Sequence, residues 1–159
     1  MAAPGAGSRG GLFAGVMSGT SLDGADAALV DFSCARPRTL SFATVPIGAE
    51  LRRTLLALSS PGSDGLDVAG PASAELAQIY ARAVIEAIAA AGKAPGDVTA
   101  IGCHGQTVRH RPERGFTIQL NDPSRVAELT GIDVAADFRR RDIAAGGQGA
   151  PLAPAFHEA

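Results

Sequence analysis

No apolar stretch in this chain approaches the roughly 20 residues needed to cross a bilayer, and nothing at its start resembles the charged and leucine-rich regions of a secretory signal. Cysteine is scarce. Cys34 and Cys103 are the whole complement and lack CxxC spacing, so a reduced, cytoplasmic setting is expected. An excess of one charge is lacking too: a net charge of −2 gives no electrostatic reason to expect nucleic acid or an anionic membrane as partner. There is no internal repeat, and no low-complexity segment beyond the first ten residues. Length sets a further limit, since 159 residues suffice for one domain with a real core but not for two lobes of typical size. What remains is ordinary globular composition, 46% hydrophobic and 19% charged, which permits a core and decides nothing about function.

Residues 1–10, MAAPGAGSRG, fit the letters of the GxGxxG dinucleotide fingerprint from Gly5 onward. That motif needs a strand before it and a helix after it. Here no strand precedes and an apolar strand follows, so the segment is expected to be a disordered tail.

Residues 11–32, GLFAGVMSGTSLDGADAALVDF, are the stretch around which the chain is organised. The continuous apolar run at 12–17 predicts a strand buried on both faces, and the run at 25–32 predicts a second strand. The link between them, Ser18 to Gly24, is longer than the two or so residues of a minimal hairpin. Gly19 and Gly24 allow backbone N–H groups to approach a ligand, and Ser18, Thr20 and Ser21 offer hydroxyls. Asp23 adds a carboxylate able to hold a hydrated Mg²⁺. Two readings are open on these residues: an ordinary loop of turn formers, or a bend that cradles phosphate with backbone dipoles.

Farther along, residues 39–47 predict a third strand of an antiparallel meander, and Leu51, Leu55 and Leu58 mark a short amphipathic helix. Residues 59–70 carry turn chemistry and predict an exposed loop. A long helix follows, with Pro71 in its first turn, Gly92 beyond its end, and Leu76, Ile79, Tyr80, Ala83, Val84, Ala87 and Ile88 on one face. Residues 98–103 predict a buried strand ending in the polar cluster Cys103-His104-Gly105-Gln106-Thr107. His104 is either a donor to a ligand or a satisfied core histidine, and His110 reads as solvated surface. Residues 116–120 predict a short strand. A helix capped by Asp122, with Pro123 in its first turn and Gly131 as its stop, then turns Val126 and Leu129 inward. Residues 132–136 predict a last strand, with Asp137 at its end, where ligands collect in open α/β sheets. Arg139, Arg140, Arg141 and Asp142 read either as a solvated charge run or as the source of a bidentate anion clamp. Gly146, Gly147, Gln148 and Gly149 are too glycine-rich for an element interior and let backbone approach a ligand or another segment. The run at 155–158 reads as the start of another helix.

Three blocks, GVMSGTSLDGADAALVDF, AIGCHGQTVRH and DFRRRDIAAGGQGAPLAPAFHEA, resemble blocks of the anhydro-N-acetylmuramic acid kinases, in the same order. The resemblance runs from Phe13 to the last residue. It implies the actin-like, ribonuclease H-like α/β fold of the sugar kinase superfamily, a mixed sheet with flanking helices. Family members run to well over twice this length, so residues 11–159 are expected to form the N-terminal lobe of a two-lobed enzyme whose other lobe lies outside this sequence. The implied activity is ATP-dependent: water opens the 1,6-anhydro bridge of anhydro-N-acetylmuramic acid and O6 is phosphorylated, in peptidoglycan recycling. Gly19, Thr20, Ser21, Leu22, Asp23, Gly24, Ala25 and Asp26 would then bind ATP and Mg²⁺, with Asp23 acting on the metal through water. His104, Gln106, Asp137, Arg139, Arg140, Gly147, Gln148 and Gly149 would line the sugar site, an arginine taking the lactyl carboxylate. A homodimer is possible for the full-length protein, with no nucleic acid or membrane partner. Two departures bear on this. Val16 stands where the superfamily often has an Asp late in the first strand, and the DTGPGN-type block that carries the family's base is absent, so the base is expected after Ala159. The alternatives are a non-catalytic half-lobe that binds ligand or partner, and a kinase of the same superfamily for another sugar.

Overall fold

The computed structural model describes residues 10–60, 62 and 65–153. Strands β1 (Leu12–Ser18), β2 (Gly24–Asp31) and β3 (Arg38–Pro46) form the expected antiparallel meander. Helices α1 (Ala49–Ser59) and α2 (Leu66–Ala90) then lead to β4 (Val98–Cys103), which pairs parallel with β1. A hairpin of β5 (Gln106–Arg111) and β6 (Phe116–Leu120) stands apart as a two-stranded sheet. Helix α3 (Pro123–Thr130), the short strand β7 (Val134–Ala135) and helix α4 (Phe138–Ala144) complete the described chain. The main sheet has the order β3-β2-β1-β4-β7, with β7 parallel to β4, and is therefore mixed.

The core lies between this sheet and α2. Leu76, Tyr80, Ala83, Val84, Ala87 and Ile88 are buried on the predicted face of α2, against Ala14 and Val16 of β1, Leu29 of β2 and Ile101 of β4. Gly92 adopts φ +65° and the Lys93 amide donates to the Ile88 carbonyl, so a left-handed glycine ends α2 as expected. Asp122 caps α3 as expected too, its carboxylate accepting from the Arg125 amide at 3.0 Å.

Several expectations are corrected. β1 is not buried on both faces: Ala14, Val16 and Ser18 face the core, while Gly15 is exposed and Met17 is 45% exposed. On that second face the Phe138 ring of α4 lies over Gly102, but Phe42 of β3 remains 60% exposed. An apolar run does not say which of its faces will find a cover. Helix α2 starts at Leu66, so Pro71 lies inside it and the last five residues of the expected 59–70 loop are helical. Pro71 has no N–H for the Asp67 carbonyl, a loss that the second turn of a long, well-buried helix tolerates. Strand β5 was not expected as an element, and the charge run at 139–142 belongs to α4. The strand expected over 132–136 shrinks to β7. Of the two inward residues assigned to α3, Val126 is buried and Leu129 is 53% exposed. The tail, apart from Gly10, and the helix start at 155–158 fall outside the described residues.

Candidate functional site at the carboxyl edge of the sheet

β1, β4 and β7 run parallel, and all three end at one edge of the sheet. β1 opens into the loop that begins at Gly19, β4 into His104, and β7 into Asp137. The His104 amide donates to the Val16 carbonyl at 3.0 Å, which holds the β4 exit against the end of β1. In open α/β sheets this is where ligands bind.

The loop after β1 is anchored by a residue with no polar function. Leu22 is 1% exposed and holds φ +54°, an unusual conformation for a branched side chain. Its burial turns Thr20, Ser21 and Asp23 outward. Gly24 is glycine for a backbone reason: a Cβ there would come within 2.9 Å of Thr44 and 3.1 Å of the Val45 carbonyl, so its smallness lets β2 and β3 close. Ala25 is buried in the core, and Asp26 on β2 accepts from the Thr44 hydroxyl at 2.7 Å. Of the three hydroxyls, Ser18 is buried and Ser21 donates to Asp23 Oδ1 at 2.7 Å. The Thr20 hydroxyl has no partner among the described residues, nor do the backbone amides of Thr20 and Ser21. The Ser21 hydroxyl, followed by the amides of Asp23 and Gly24, holds the exposed Asp23 carboxyl below its usual range, so it is ionised at neutral pH. Arg52 of α1 donates through Nε and one Nη to the Ser21 carbonyl, both at 3.2 Å, and sets a positive charge beside the bend.

Behind the loop lies a buried polar cluster. Ser18 Oγ donates to Gln106 Oε1 at 2.7 Å and is 2.6 Å from the Tyr80 hydroxyl, which is left to donate to it. Gln106 is 3% exposed, so its side chain ties the β5 hairpin to β1 instead of facing the edge. Burial raises the Tyr80 pKa above its ordinary value, keeping the phenol protonated as this arrangement requires. Tyr80→Phe removes one buried donor from Ser18 and is expected to lower stability by about 1 kcal/mol, readable as a lower urea midpoint at unchanged slope.

A second cluster joins β4 to α4. Arg139 Nε donates to His104 Nε2 at 2.8 Å, and an Arg139 Nη donates to the Gly149 carbonyl at 2.6 Å. An arginine nitrogen can only donate. Nε2 therefore presents its lone pair, and Nδ1 carries the proton and donates to the Gly105 carbonyl at 2.7 Å. Asp142 Oδ2 accepts from the Gly149 amide at 2.7 Å, and the Gly147 amide donates to the Asp142 carbonyl oxygen at 2.9 Å. Residues 146–149 are thus strapped to the end of α4. A Cβ at Gly147 would displace the Asp142 carboxylate, and Gly149 sits at φ +71° against Ile143, a backbone conformation that favours glycine. Gln148 is exposed. Arg140 points elsewhere, to the Thr117 carbonyl at 3.3 Å and to Asp137 at 3.7 Å. Asp137 is the exposed N-cap of α4 at φ +63°. The adjacent Cys103 thiol is buried and pushed up to about 11, first by desolvation, which makes it a packing residue with no nucleophilic character at neutral pH.

Sequence reasoning placed the loop and His104 at strand ends, which the structure brings to one edge, but missed Arg52, Tyr80 and Asp142 as members of these clusters. Arg52 lies on the exposed side of α1, where nothing in the pattern marks it. Asp142 was hidden in a charge run, although its nearness to the following glycines was a usable signal.

The family model for anhydro-N-acetylmuramic acid kinase matches residues 11–159. The curated anhydro-N-acetylmuramic acid kinase of Bordetella pertussis is 58% identical over 148 residues, covering 93% of this chain and 39% of that protein. The protein of the same name from Variovorax paradoxus is 53% identical over 152 residues, with 93% and 40% covered. That of Burkholderia thailandensis is 54% identical over 148 residues, with 92% and 38% covered. The chain thus spans about two-fifths of the length of these relatives. Among the described residues no helix is long and apolar enough to cross a membrane. With a family match over nearly its whole length, on a mixed sheet whose parallel strands end in the matched blocks, the chain belongs to the anhydro-N-acetylmuramic acid kinase family.

Proposed function

We propose that residues 11–159 form the nucleotide-phosphate wall and part of the sugar wall of an ATP-dependent kinase acting on 1,6-anhydro-N-acetylmuramic acid. The observation that carries the reading is the common edge of β1, β4 and β7, to which both an outward bend with unpartnered amides and an arginine fixed on two sides belong.

In this reading the Thr20 and Ser21 amides and the Thr20 hydroxyl donate to phosphate oxygens of ATP. Arg52 adds positive potential at the same bend. Asp23 suits a hydrated Mg²⁺, which keeps most of its waters and needs only one or two carboxylates. When bound, that ion neutralises charge on the phosphoryl oxygens. Arg139 is held through Nε and one Nη, and its other Nη has no partner among the described residues. That group is directed to the lactyl carboxylate of the sugar, with Gln148 exposed on the strap whose Gly147 and Gly149 amides are held by Asp142. Gln106 acts behind this surface, holding Ser18 and therefore the start of the loop. Asp137 and Arg140 flank the edge as an ion pair. Water attacks C1 of the sugar, the C1–O6 bond breaks, and O6 takes the γ-phosphoryl group. The base that accepts the water's proton is assigned to the part of the enzyme beyond this chain. By itself the chain is a half-site, able to bind and not to turn over.

The route is tested in the full-length protein by running the reaction in ¹⁸O-labelled water. One labelled oxygen at C1 of an otherwise unlabelled 6-phosphate is expected. An unlabelled sugar phosphorylated at C1 would refute water as the nucleophile.

A further inference from the structure

Among the polar clusters of the described residues, the His104–Arg139 contact is the one in which a histidine ring nitrogen holds an arginine through a bond that only one protonation state allows. We propose that His104 is a positioning residue that locks Arg139, and through it the strap at residues 146–149, so that the order of this glycine-rich strap is switched by one imidazole. The proposal goes beyond the kinase reading and does not depend on which sugar is bound.

The chain of contacts is continuous. The Gly105 carbonyl fixes the Nδ1–H tautomer, Nε2 accepts from Arg139 Nε, Arg139 Nη donates to the Gly149 carbonyl, and the Gly149 amide returns to Asp142. A proton on Nε2 removes the lone pair that Arg139 uses and sets two positive charges in contact. Arg139 must then leave, and the Gly149 carbonyl loses its donor. Few other charges face the ring. β1, which accepts its backbone amide, brings no titratable side chain, and Cys103 on β4 is a neutral thiol. On α4, Arg139 is in contact, and Asp142 stands one step removed on the far side of Gly149. Burial lowers the His104 pKa below 6.5; the Gly105 carbonyl opposes that shift, and the Arg139 charge adds a smaller lowering effect. The neutral ring is therefore the folded state's form. Its contribution to stability is present above 6.5 and is lost as pH falls through the lower folded value.

The test uses ¹⁵N NMR and hydrogen exchange on the 159-residue chain. At neutral pH the His104 ring is expected in the Nδ1–H form, with the Gly149 amide protected. On acidification the Gly149 amide should shift with the midpoint of the His104 ring, below about 6.5, and lose protection. His104→Gln, whose amide oxygen can accept from Arg139, should keep Gly149 protected and abolish that titration. His104→Leu should lose the protection at every pH. The proposal is overturned if the Gly149 midpoint differs from that of the ring, if the titration persists in His104→Gln, or if His104→Leu leaves Gly149 protected. The wild-type titration decides alone should His104→Leu not fold.

Discussion

Incubated with ATP, Mg²⁺ and 1,6-anhydro-N-acetylmuramic acid, the 159-residue chain alone is expected to form no 6-phosphate above background. The full-length Bordetella pertussis relative serves as the positive control. In the proposed mechanism the base that takes the water's proton lies in a block this sequence lacks, and losing a general base costs about 10²- to 10⁴-fold. Two candidates within the chain, Asp137 and Asp142, each have a partner: Asp137 pairs with Arg140, and Asp142 accepts from the Gly149 amide. Positioning of ATP against the sugar would also be missing, and that is worth roughly 7–11 kcal/mol in well-oriented systems. Together these effects put turnover below detection. Clear formation of the 6-phosphate by the short chain would show that Asp137 or Asp142 serves as the base.

Asp23→Asn, introduced into the full-length enzyme carrying this segment, is expected to lower kcat by about 10²-fold or more, the scale of losing one preorganised electrostatic contact to a transition state. The fold should survive, because the Asp23 side chain is fully exposed and its partner is the neighbouring Ser21 hydroxyl. Asparagine can still accept from that hydroxyl, so the substitution tests the charge and not the shape of the bend. Steady-state kinetics with a thermal-melt control make the measurement. Normal turnover would reduce Asp23 to a turn residue and move the metal-side role to Asp26, whose carboxylate is tied to Thr44.

How much of this was legible follows from the range of each interaction. The meander, β4, β6, α1 and α3 rest on local signals, namely apolar periods and caps, and they fall within a residue or so of their expected bounds. The α2 face was legible for the same reason. Its start was not, because Gly65, Gly70 and Pro71 all read as punctuation while the buried Ala72 and Leu76 hold the helix in place. β5 and α4 were hidden by composition: Gln-Thr-Val-Arg-His-Arg and Phe-Arg-Arg-Arg-Asp-Ile-Ala are polar segments that find partners only in tertiary structure. The site shows the same division. The bend after β1 could be read from its glycines and hydroxyls. The roles of its members could not, since Ser18 is silenced by Tyr80 and Gln106, and Arg139 is assigned to His104, by contacts between residues far apart in sequence.

The central claim is that the bend after β1 binds the phosphates of ATP. Amide chemical shifts of the ¹⁵N-labelled chain, titrated with Mg²⁺·ATP and separately with adenosine, test it most directly. The account predicts saturable shifts at the Thr20 and Ser21 amides with ATP and none there with adenosine. Shifts that leave Thr20 and Ser21 untouched while other residues respond to ATP would contradict it.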